Sequence, residues 1–361
     1  MTADALLPEL AAQAAGAAHR AADRCPCTAA VLADRPDAAV VRHAGVVAKA
    51  HAPGTDPAAL ALRLTTAAAL PGIFLPPLTP AAVPLATPIP VPRGTPARRT
   101  APAIAPDRHH RDCRHPEQSE QPEHPEHPEH RPTPHPRLMT LWPHGTPVDP
   151  EDPDAAPWEA AAALLARLHR GPVPPALPPM RGPAKAALAV ARLRATAPGR
   201  SAARPVERAW ATLPAWARDE APMPGGGALC HGDLHLGQLV RHPAPGGPWL
   251  LIDVDDLGVG VPAWDLARPA AWYACGLLPP EEWTRFLTAY RAAGGPAVPA
   301  EGDPWPALDV PARALTVQTA ALAIVRATRD GRPLDEIELA VVDACDRMSG
   351  LPPELDDGLA K

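Results

Sequence analysis

Asparagine is absent from this 361-residue chain, lysine occurs three times against 31 arginines, and serine three times. Two Phe and two Tyr accompany nine Trp, while proline fills 54 positions. Such a skew reads as the mark of a GC-rich coding sequence on every tolerant position, so a residue type that survives against it carries information. None of the serines (Ser119, Ser201, Ser349) lies in GxSxG, which excludes a nucleophile-elbow hydrolase. Neither GxxxxGKS/T nor a GxGxxG following a strand occurs, so P-loop and dinucleotide-binding folds lose their main signatures.

Positive charge is also scarce. A formal net charge of −6 leaves no electrostatic footprint for a polyanion, and nucleic acid is not expected as a partner. Apolar runs are short and broken by Pro, below the roughly 18 residues of a membrane span, and no membrane association is expected. The start MTADALLPEL carries Asp4 and Glu9 where a signal peptide has basic residues. With six scattered cysteines (Cys25, Cys27, Cys113, Cys230, Cys275, Cys345), the expectation is a reduced, cytoplasmic protein. Cys25-Pro26-Cys27 is one residue too tight for a CxxC pair and no second pair answers it, so no zinc site is expected there.

The length suggests about two domains. Residues 1–20, Ala-rich with Leu6, Leu7 and Leu10 on one side, predict a helix. Short β-branched runs at 29–32, 38–42 and 45–49, separated by Arg35-Pro36-Asp37 and His43-Ala44-Gly45, predict an antiparallel meander. Asp56-Pro57 starts a helix over 58–70 that Pro71-Gly72 ends. The tract from about 92 to 136, with three tandem Pro-Glu-His units at 122–130, cannot bury a core and reads as a disordered insertion. Order resumes with a strand at 138–142. Helices follow at 159–169, 184–196 and 205–217, then at 280–293, 311–328 and 334–348, with a short apolar segment at 228–230 between the two groups.

The strongest constellation is His231-Gly232-Asp233-Leu234-His235-Leu236-Gly237-Gln238, followed by the apolar run Trp249-Leu250-Leu251-Ile252 that ends in Asp253-Val254-Asp255-Asp256. Two carboxylates, one on a loop and one at a strand end, with a carboxamide between them, suit phosphoryl transfer from a Mg-nucleotide. One Asp accepts the substrate hydroxyl proton, while the carboxamide and the second Asp hold metal.

In these residues the chain resembles the aminoglycoside phosphotransferase and choline kinase group, small-molecule kinases with the protein-kinase fold. The group's pattern is HGDxxxxN, an apolar strand ending in IDxxD, and a later PxxDLA. It reads here HGDLHLGQ, LLIDVDD and PAWDLA. HGDLHLGQ itself is similar to the maltokinases, which carry Gln at its last position.

The resemblance implies an α+β, two-lobed fold: a small N-lobe, residues 1–141, with an antiparallel sheet and one helix, and a larger helical C-lobe, residues 142–361. It implies transfer of the ATP γ-phosphate to a hydroxyl of a small metabolite, sugar or aminoglycoside-like acceptor, with Mg2+ as cofactor. Asp233 would be the catalytic base. Asp253 and Gln238 would hold the metal, His231 would brace the loop, and Asp265 would tie it together. Lys49 would contact the donor phosphates and backbone around Leu141, Trp142 and His144 the adenine.

Plainer readings stand beside these. His231 also reads as an ordinary buried histidine, Trp142 as a core aromatic, Lys49 as a solvated charge, and Asp255 and Asp256 as helix-capping or solvated residues. Helix 58–70 lacks the Glu that normally pairs with the lysine, and the first two strands are joined without a glycine-rich loop. Both departures support an alternative, a nucleotide-binding pseudokinase in a regulatory or scaffolding role.

Overall fold

The computed structural model describes residues 3–19, 26–79, 81–85, 137–225 and 227–348. The tract expected as an insertion at about 92–136, and Cys25 and Cys113, lie outside these residues.

The expected meander forms: β1 (Ala30–Arg35), β2 (Ala38–His43) and β3 (Val46–Ala50) pair antiparallel. β5 (Leu138–Pro143) then adds beside β3, and β4 (Val83–Pro84) closes the sheet in the order β1-β2-β3-β5-β4. A strand exposes alternate residues on opposite faces, and here both faces are covered. Ala39, Val41, Ala48 and Ala50 meet Leu6, Leu10 and Ala14 of helix α1 (Ala3–Ala18) in one cluster. Val47 packs against the main core on the other side.

The N-lobe therefore carries two helices rather than one. The second, α2 (Pro57–Ala68), is capped by the Asp56 carboxylate, which accepts from Ala58 N at 2.9 Å. Its Leu60, Leu64 and Ala67 are fully buried in the main core with Phe74. Each of the two leucines contributes about 1.5–3 kcal/mol by leaving water.

The second lobe is mostly helical: α3 (Trp158–His169), α4 (Gly182–Thr196), α5 (Ala203–Ala211), α6 (Ala263–Ala274), α7 (Pro280–Ala292), α8 (Trp305–Arg329) and α9 (Glu336–Met348). The helix expected over 205–217 stops at Ala211, because Pro214 cannot continue it, and a separate turn of 3-10 helix covers Ala215–Arg218. Helix α8 begins six residues before the expected 311. Asp303 accepts from Trp305 N at 3.0 Å and Pro306 sits in the first turn, so Pro311 is an interior residue and not the start. By length and composition α8 could cross a membrane, but 72% of its apolar window is buried inside the protein, where α4, α5, α6 and α9 pack on it.

Two small sheets lie between these layers. β7 (Ala228–Cys230) pairs with β10 (Gly258–Gly260), and β8 (Leu239–Arg241) pairs with both β6 (Thr146–Pro147) and β9 (Trp249–Leu251). They hold the ends of the two loops that carry the acidic motifs.

Candidate active site

Strand β7 delivers the chain to His231, and its pairing with β10 fixes where the next residues go. Gly232 has φ +85°, and a Cβ there would sit 2.4 Å from the Asp256 carbonyl oxygen, so only glycine passes this point. The His231 and Gly232 amides donate to the two oxygens of the Asp265 carboxylate at 2.6 and 2.7 Å. Asp265 is buried in the first turn of α6 and also meets His169 Nε2 at 3.0 Å, while His169 Nδ1 contacts the Tyr290 hydroxyl at 2.7 Å. His231 Nε2 bonds the Ile252 carbonyl at 2.9 Å and so ties one acidic loop to the other.

The second loop leaves β9 through Asp253, whose φ of 64° is one that Asp tolerates better than most residues. Its carboxylate meets Lys49 Nζ at 2.7 Å, and Asp255 meets the same nitrogen at 3.0 Å. Lys49 stands opposite Thr140 in the β3–β5 ladder, on the sheet face away from α1. Burial opposes its charge, but the two carboxylates outweigh burial and hold Lys49 protonated well above the usual range. Burial likewise favours the neutral form of Asp255, and Lys49 and His51 reverse that. The missing helix Glu is thus replaced from the other lobe. From α2, Arg63 donates to the Leu257 carbonyl at 2.8 Å and bridges the lobes as a cation.

Asp233 is held on both sides. Lys185 Nζ lies 2.6 Å from one oxygen and Arg268 Nη2 2.7 Å from the other. Lys185 also reaches Asp256 at 2.8 Å, with Arg181 at 3.9 Å from that residue. Burial would raise the Asp233 pKa, yet the two cations lower it to about 2. His235 is pushed down to about 4, mainly by burial, and its Nδ1 accepts from Gly237 N at 3.1 Å. Gln238 is buried at the end of the same loop, and among the described residues no hydrogen bond involves its carboxamide.

The structure thus brings Lys49, Asp233, Gln238 and Asp253 to one cleft between the lobes. Leu141 and Trp142 lie near the end of β5. The Leu141 carbonyl accepts from Leu78 N at 2.8 Å, His144 N donates to Gly45 O at 2.8 Å, and the Trp142 indole is a core group donating to Thr140 at 2.8 Å. Asp255 and Asp256, open to a solvated reading in the sequence, are both built into the ion-pair network.

Sequence reasoning missed Lys185, Arg268 and His51. His51 bonds Asp255 at 2.7 Å and Thr140 at 2.9 Å. A signal existed for Lys185, since the lysine scarcity that singles out Lys49 applies to it equally; for His51 and Arg268 there was none.

Residues 133–305 match the profile of a family described as the phosphotransferase enzyme family. No curated protein sequence matches the chain. A choline/ethanolamine kinase family protein from Mesorhizobium loti superposes with a TM-score of 0.51 at 14% identity, covering 99% of this chain and 98% of that one. The aminoglycoside phosphotransferase APH(4)-Ia superposes with a TM-score of 0.52 at 11% identity, covering 90% and 94%. A thermostable mutant of it, in ternary complex with AMP-PNP and hygromycin B, gives 0.52 at 12% identity, covering 90% and 95%. At these identities the superpositions establish the two-lobed fold, and the profile match spans both acidic loops. Over residues 133–305, which carry both acidic loops, this chain is similar to the phosphotransferase enzyme family.

Proposed function

We propose that this phosphotransferase moves the γ-phosphoryl group of ATP, with Mg2+, to a hydroxyl of a small metabolite, sugar or aminoglycoside-like acceptor. The observation that carries the reading is the 2.7 Å contact between Lys49 and Asp253, two residues 204 positions apart, beside the loop bearing Asp233. AMP-PNP in the APH(4)-Ia complex supports a nucleoside triphosphate as donor.

In this chemistry the protein positions charge more than it makes bonds. Asp233, ionised throughout the neutral range, accepts a hydrogen bond from the acceptor hydroxyl and takes its proton as the bond to phosphorus forms. Its lowered basicity suits late transfer, after the hydroxyl has begun to lose electron density. Lys185 and Arg268 keep the carboxylate aimed, and Lys49 supplies positive charge to the donor phosphates.

The residues present fit a magnesium ion. Mg2+ prefers hard oxygen donors, and the Asp253 and Asp255 carboxylates and the Gln238 carboxamide oxygen are such donors. The bound ion would neutralise charge on the phosphates.

A screen of hydroxylated metabolites, sugars and aminoglycosides for ADP release tests the proposal, with Asp233→Asn as control. The expected result is an acceptor-dependent signal that Asp233→Asn lowers by about 10²–10⁴-fold, with nucleotide affinity retained. Nucleotide binding without turnover on any acceptor would return the pseudokinase reading, which the tight Pro36-Asp37 turn in place of a glycine-rich loop favours.

A further inference from the structure

Across the five-stranded sheet from Lys49, a second group of chemistry-bearing side chains converges. His43 ends β2 on the same face as Ala39 and Val41, the face that α1 covers. His19 follows directly on α1, where its amide donates to the Ala15 carbonyl at 3.0 Å. Cys27 lies in the segment entering β1. The ligand atoms of these three residues all lie within 4.8 Å of one another. The two imidazoles meet edge to face, with ring centroids 5.3 Å apart and an interplanar angle of 87°.

From this geometry we infer that His19, Cys27 and His43 form a zinc site of three protein ligands whose fourth position is left to water. Two imidazoles and a thiolate are the borderline-soft donors that select Zn2+ over the hard cations of the cleft. A tetrahedral ion with Zn–N of about 2.1 Å and Zn–S of about 2.3 Å sets its ligand atoms about 3.4–3.6 Å apart, so small rotations close the cluster. The three ligands come from the end of a helix, the entry to one strand and the end of another. Zinc there staples the end of α1 to the sheet it covers, in a lobe whose α1 interface is built largely of alanine, leucine and valine.

A second cluster, His169, Cys230 and Asp265, has similar spacing but a different purpose. Both its imidazole nitrogens face protein partners, and its carboxylate receives two backbone amides. It is a hydrogen-bonded frame for the acidic loop. The sequence expectation of no zinc near Cys27 looked for a second cysteine pair; the structure brings histidines from both sides instead.

The test uses the reduced full-length chain and the variants Cys27→Ser, His19→Gln and His43→Gln, titrated with Zn2+ and, as a spectroscopic probe, with Co2+. The tract at 107–136 is present in all four proteins, so metal held there cancels in the comparison. The wild type is expected to bind one Zn2+ equivalent more than each variant and to melt higher with zinc than with chelator. Its Co2+ complex is expected to show a thiolate-to-metal charge-transfer band that Cys27→Ser loses. His43 is buried, so its variant is checked for folding by circular dichroism; Cys27 is exposed, and its variant decides the matter independently. Equal stoichiometry in wild type and Cys27→Ser, or a Co2+ complex without the thiolate band, overturns the site. None of these readouts depends on phosphoryl transfer.

Discussion

Of the three lysines in the chain, two stand on the acidic residues of the cleft. An ammonium is a compact point charge that reaches two carboxylates at once, as both Lys49 and Lys185 do, whereas a guanidinium is planar and demands a wider seat. Lys49→Arg is expected to lower kcat/KM by about tenfold or more despite the conserved charge; kinetics at neutral pH check this. Wild-type activity would mean that Lys49 acts only as a charge. Lys185 has a more specific signature. Without it burial lifts the Asp233 pKa from about 2 toward the ordinary carboxylate range, since Arg268 alone remains to oppose it. Because the folded pKa lies below the unfolded one, the stability due to ionised Asp233 is complete above about pH 4 and vanishes as pH falls through about 2. In Lys185→Met both this loss and the acid limb of kcat/KM are expected at higher pH. An acid limb that does not move removes Lys185 from the positioning of Asp233.

At the scale of elements, the loop from β7 is held by bonds that side chains on α6 and α3 provide. Asp265→Ala leaves the His231 and Gly232 amides and His169 without their carboxylate partner in a dry interior. At about 1–3 kcal/mol for each buried group left unsatisfied, the expected cost is about 3 kcal/mol or more, read as a fall in melting temperature together with lost turnover. A stable variant with only a catalytic defect would refute the bracing role. Much of this level is legible in sequence. The meander, α2 with its Asp56 cap, and α3 follow from local periodicity and punctuation. The misplaced ends of α5 and α8 follow from reading prolines one at a time. Pro214 stops a helix, but Pro311 sits inside one that Asp303 and Pro306 had already begun.

At the scale of the whole molecule, the two lobes meet where β3 faces the loop after β9, and ion pairs between Lys49, His51, Asp253 and Asp255 cross that junction. From position 258 onward the chain holds 15 acidic against 9 basic residues. Among the described residues, the charged side chains bonded to Asp233 are Lys185 and Arg268. Deletion of residues 107–136 is expected to preserve melting temperature and acceptor-dependent ADP release, because Lys49, Asp233, Gln238 and Asp253, proposed to carry the chemistry, are outside that tract. Loss of activity on deletion would give the tract a part in the reaction.

By itself the sequence determined the resemblance. Paired HGD and ID motifs, a lysine retained against strong coding bias, and an Asp in PAWDLA match the pattern of the small-molecule kinases, and phosphoryl transfer is what that resemblance implies. The tertiary structure decided the charge partners. Lys49 finds Asp253 instead of a helix Glu, Lys185 crosses from α4 to Asp233, and two histidines close on Cys27. Local patterns report which face of an element is buried, whereas ion pairs and metal ligands depend on where distant elements come to rest.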